Sequence, residues 1–158
     1  MESETAERPS VQVASLPRRL GAMLYDGVLL LGLVMLAITL LIVPYDLLAA
    51  RPYPHQDILC RTLMQLYLVA VVAGFYVYFW THGGQTLGMR TWRLRAVRDD
   101  GSPLNRADAL RRLGWATLSL LPAGLGLWWS LFDRERLAWH DRQSRTRLVI
   151  VPLAKSRR

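Results

Sequence analysis

The feature that most constrains this chain is an apolar run from Leu20 to Val43 that carries a single charge, Asp26. About 20 such residues in a helix cross the roughly 30 Å hydrocarbon core of a bilayer. Two further apolar runs follow, residues 59–80 and 113–132. The first two predict long transmembrane helices. The third is broken by Pro122, Gly124 and Gly126, where a backbone donor is missing and the helix is loosened. It fits a re-entrant hairpin or a third span. The expected fold class is an all-α membrane protein with a small cytoplasmic pair of β-strands. Ser15 is a candidate N-cap and Pro17 suits a first helical turn. The first run is too long for a signal-peptide core and no A-x-A site follows it, so it is expected to remain as an uncleaved anchor.

Charge assigns the expected sides. Lys and Arg number 20 against 12 Asp and Glu, and they flank the apolar runs in blocks. The loop between the first two runs, with Pro44, Pro52 and Pro54, is poor in net charge, whereas Thr81–Arg112 holds seven arginines, including Arg90, Arg111 and Arg112. Positive charge marks the cytoplasmic side. The expectation is an integral protein of the bacterial inner membrane with its N-terminus in the cytoplasm. Residues after Phe132 are also basic, which favours a cytoplasmic C-terminus and hence the hairpin. The alternation in 91–98 and the β-branched run 146–151 predict two strands, which must share one side of the membrane to pair. The domain layout is a disordered tail (1–15), a membrane domain (16–152) and a basic tail (153–158). Anionic lipid headgroups are the expected partners of the basic blocks. No nucleic-acid-reading module is present in the sequence, so nucleic acid is not an expected partner.

Asp26 is the residue most demanding of explanation, because an intramembrane carboxylate costs a few kcal/mol unless it is paired. Arg19, seven positions earlier, lies on nearly the same helix face. Arg111 and Arg112 at the mouth of the third run are candidate partners. Two readings stand level: a relay for a proton or cation, and a structural clasp. Asp133–Asp141, with Leu137 and Trp139, reads as an interfacial helix. His140 beside Asp141 does not make a catalytic set, since no nucleophile with oxyanion support accompanies it. No enzymatic activity and no cofactor are expected. His55, His82 and His140 are too scattered to ligate a metal, and the single Cys60 adds no ligand cluster. Gly83–Gly88 lacks the Lys-Ser/Thr of a phosphate loop; its glycines permit close backbone approach, and Gln85 and Thr86 are expected to cap helix ends.

Arg18–Asp26, then Gly84-Gln85-Thr86-Leu87-Gly88-Met89-Arg90, Asp100-Gly101 and Trp139-His140-Asp141 form an ordered set of motifs. This set resembles the RDD family of small membrane proteins, over about Leu16 to Val151. The resemblance implies that Arg19, Asp26 and Asp141 are the arginine and aspartates of the family name. It implies a transport-related role, cation or proton linked. With so few helices the route would be completed by a homo-oligomer. The alternative is an adaptor whose Arg/Asp network is structural and whose basic face docks lipids or an unknown protein partner.

Overall fold

The computed structural model describes residues 12–121, 124–135 and 137–152. The expected tail up to residue 11, Pro122 at the break, Arg136, and the basic tail 153–158 with Lys155, Arg157 and Arg158 lie outside the described residues. Six helices and two strands follow in the order α1 (Leu16–Ala49), α2 (Ile58–Thr81), α3 (Leu87–Thr91), β1 (Leu94–Arg98), α4 (Arg106–Leu120), α5 (Leu125–Phe132), α6 (Trp139–Ser144) and β2 (Thr146–Ile150).

Helices α1 and α2 are long and apolar enough to cross a membrane. At 1.5 Å per residue α1 runs roughly 50 Å, well beyond a hydrocarbon core. It continues through Pro44 to Ala49, so the connecting loop starts later than its prolines suggest. Pro44 removes one helix hydrogen bond, but neighbouring turns of a 34-residue helix hold their own. The far connection is closed by polar contacts: Asp46 accepts from the Tyr53 amide at 2.8 Å, and Tyr53 Oη donates to the Cys60 carbonyl at 2.7 Å. Asp57 caps α2 by accepting from the amides of Leu59 and Cys60. Large side chains such as Leu24, Val28 and Leu66 point outward along both helices. That surface suits lipid rather than water.

The core lies at one end of the long helices, where Ala22, Trp80, Met89, Leu94, Ala96, Ala109 and Leu148 pack together. Strands β1 and β2 pair antiparallel there, from Leu94 opposite Ile150 to Arg98 opposite Thr146. The pairing matches the expectation, but the first strand starts three residues late. Thr91 belongs to α3, and Arg93 turns the chain into β1 with φ 55°. Gln12–Ala14 lie along the other side of β2, with the Ala14 amide donating to the Leu148 carbonyl and the Ile150 amide to Gln12. The start of α1 is thereby tied to the sheet.

The third apolar run divides into α4 and α5, which meet at 94° across the glycine-containing break. An Asn105/Asp108 capping box starts α4, each side chain accepting from the other's amide. The chain enters α4 from β1 and returns through α6 to β2, so both ends of this segment lie side by side at the sheet. The interfacial helix expected over 133–141 is not formed. Its last residues open the short α6 instead, and Leu137, Ala138, His140 and Asp141 are buried. Leu137 and Ala138 are enclosed by the protein, and the half-buried Trp139 packs edge-on against Trp115.

Candidate functional site

Two polar assemblies sit beneath a cavity at this end of the molecule. The first joins α1, α4 and α6. Arg19 and Asp141 form a buried ion pair, and Arg112 Nη1 lies 2.7 Å from the other carboxylate oxygen, Oδ1. The same Arg112 nitrogen also donates to Thr146 Oγ1. Arg19 Nε also donates to the Ala14 carbonyl at 3.1 Å. All three charged side chains are almost completely enclosed. Burial alone would raise the Asp141 pKa, but Arg112 and Arg19 hold the carboxyl well below the usual range. Two buried cations around one anion require that ionised state.

His140 belongs to the same cluster. Its Nδ1 is 3.1 Å from Ser119 Oγ and its Nε2 is 3.5 Å from Asp141. Burial pushes its pKa down to about 4; Asp141 opposes this, and Arg112 and Arg19 reinforce it. The imidazole is therefore neutral at pH 7. Adjacent positions on a helix ordinarily diverge, yet both enter the site because α6 is short and enclosed on several sides.

The second assembly fixes α3 against α1. Thr86 Oγ1 donates to Asp26 Oδ2 at 2.5 Å, and the Gly88 amide donates to Oδ1 at 2.9 Å. Thr86 simultaneously accepts from the Met89 amide as the N-cap of α3, as expected of this residue. Gly88 is where α3 meets α1: a Cβ there would run into the Ala22 carbonyl and the Asp26 carboxylate. Gly84, with φ 72°, brings the loop so close to β1 that a Cβ would stand 2.7 Å from the Ala96 carbonyl. Gln85 Nε2 donates to the Leu94 carbonyl at 2.7 Å, which secures the loop to β1 instead of capping a helix. Arg90, in the last turn of α3, is exposed.

The residues singled out from the sequence thus divide. Arg19, Arg112, Asp141 and His140 meet, whereas Asp26 is held separately by Thr86 and Gly88. The expected pairing of Asp26 with Arg111 or Arg112 does not occur. Arg111 turns to Asp108 at 2.9 Å, and Arg112 is drawn to Asp141. Ser119, Thr146 and the Asp108 pair with Arg98 were missed, since none carries a local signal; the Asn-x-x-Asp spacing at 105–108 could have revealed the cap.

Above both assemblies is a cavity of about 610 Å³ between α1, α2, α4 and α5. Its wall is mostly apolar, with Leu30, Val72, Leu120 and Leu127 among its residues, and Asp26, Arg19, Arg112 and His140 are its charged or ionisable members besides Tyr76. Asp26 is the single carboxylate in that wall among the described residues. No group of three acidic, histidine or cysteine side chains placed to hold a metal occurs among the described residues.

Two apolar helices of spanning length and an outward apolar surface fit a small helical integral membrane protein. The sequence model of the RDD family matches residues 13–145, most of the chain, and the protein belongs to that family. Neither the curated proteins nor the solved structures contain a match to it.

Proposed function

We propose that this protein is a transport-related membrane protein, acting as a homo-oligomer, in which Asp26 is the charge-handling group and the Arg19–Asp141–Arg112 cluster is a structural clamp. The observation that carries the reading is the unequal treatment of the two aspartates. Asp141 is sealed from solvent between two arginines, whereas Asp26 lines a cavity and is held by two neutral donors. A carboxylate with about four acceptor positions has capacity beyond the two bonds it receives. An intramembrane acid facing a cavity is the arrangement expected of a proton or cation pathway.

The same reading places the sheet, the start of α1 and the end of α2 in the cytoplasm, where the arginines of 90–112 and 134–147 satisfy the charge bias. The α4–α5 segment is then a re-entrant hairpin, because strands on either side of it are paired and a single crossing would separate them.

The test is flux of protons and monovalent cations in liposomes carrying the purified protein. Folded Asp26→Asn protein should show no flux, while Asp141→Asn should reduce the yield of folded protein more than Asp26→Asn does. Absence of flux in the wild type, or undiminished flux in Asp26→Asn, overturns the proposal.

A further inference from the structure

We infer that the cavity takes a lipophilic organic cation, paired to Asp26, as its ligand; this rests on the transport reading and names its substrate class. Size is the first argument. At about 610 Å³ the space is that of a drug-sized molecule and far exceeds a bare metal ion. Chemistry is the second. An inorganic cation needs several oxygen ligands, but the described wall offers few oxygen-bearing side chains beside Asp26, namely Tyr76 and Thr117. What it offers in quantity is aliphatic and aromatic surface, with Tyr76 and Trp80 on the α2 side.

Charge complementarity selects a cation over an anion. Arg19 and Arg112 also border the cavity, but their guanidinium groups are committed to Asp141, Thr146 and the Ala14 carbonyl. His140 is neutral because burial pushes its pKa down. Trp80 Nε1 and Arg112 Nε have no acceptor among the described residues, yet both atoms are enclosed by protein rather than open to the cavity. Asp26 has no arginine or lysine upon it among the described contacts, so a ligand's positive charge is what would balance it.

The probe is a pair of ions of one shape and opposite charge, tetraphenylphosphonium and tetraphenylborate, titrated against the full chain in lipid nanodiscs. Tetraphenylphosphonium should bind saturably, and tetraphenylborate should neither bind comparably nor compete. Asp26→Asn should weaken the phosphonium at least tenfold. Ala116→Phe, which narrows the cavity from α4 and leaves the Asp26 carboxylate in the chain, should do the same and covers the case in which Asp26→Asn does not fold. Unchanged phosphonium affinity in either folded variant, or preference of the wild type for the borate, overturns the inference. Asp26-dependent flux of small cations without phosphonium binding removes the substrate class and spares the transport reading. Phosphonium binding at Asp26 without flux of any ion does the reverse.

Discussion

Arg19 and Asp141 stand 122 positions apart in the chain and close a buried ion pair, with side chains 1% and 0% exposed. Arg112 completes the cluster from α4, so one carboxylate ties together the first helix, the bent third segment and the short α6.

Removing that carboxylate strands two cations in the interior. Asp141→Asn is therefore expected to cost about 3–5 kcal/mol and to lower folded yield sharply. Asp99→Asn serves as the comparison, since the Arg147–Asp99 pair is at the surface with Asp99 half exposed; its loss should cost no more than about 1 kcal/mol. Unfolding followed by tryptophan fluorescence in detergent measures both. Equal effects would show that the buried cluster is not a clamp.

Stability should fall between pH 6.5 and 4 because of His140. In the unfolded chain the imidazole takes a proton near pH 6.5, but in the folded protein burial delays this to about 4. The unfolded state binds more protons across that window, so stability rises with pH within it. Asp141 acts later: its depressed pKa contributes stability above the ordinary carboxylate range, lost only as the pH falls below that range. Thermal midpoints from pH 7.5 to 4.5 should decline in the wild type and flatten in His140→Gln. A parallel decline in both would assign the effect elsewhere.

Gly88→Ala should push α3 away from α1, because the new methyl meets the Ala22 carbonyl and the Asp26 carboxyl group. Backbone cannot yield as a side chain tip can, and overpacking of this kind costs about 1–3 kcal/mol. Gly74→Ala, in open space on α2, should be nearly neutral by comparison. Similar thermal midpoints for the two variants would contradict the close packing.

The Thr86 hydroxyl serves two partners, donating to Asp26 and accepting from Met89. Thr86→Val removes both bonds at an expected cost of about 2–3 kcal/mol, while Thr86→Ser should restore most of it. Amide exchange over residues 86–92 reads the loosening of α3 directly. Slow exchange in Thr86→Val would rule out the latch.

Much of the architecture was legible because it is written in local pattern. Two long helices follow from the apolar runs, the break in the third from Gly124 and its neighbours, and the strand pair from alternation in residues that had to share a side. Misreadings arose where a residue's local character and its tertiary use differ. Leu137 and Trp139 among charged neighbours suit a membrane surface, yet Leu137 is buried because α6 packs beneath α4. Arg111 and Arg112 are equivalent in sequence, but a turn of about 100° per residue points one toward Asp108 and the other into the core.

Asp26 illustrates the division most directly. Its presence in an apolar helix, its helical spacing from Arg19 and its need for hydrogen-bond donors are properties of the sequence alone, since they rest on hydropathy and the 3.6-residue turn. Its actual donors, Thr86 and the Gly88 amide, lie 60 and 62 residues away and were decided by the tertiary structure. Hydropathy can place a charge at a depth along one helix; only the packing of separate segments determines which groups arrive beside it, and here it sent the arginines to Asp141 and left Asp26 facing the cavity.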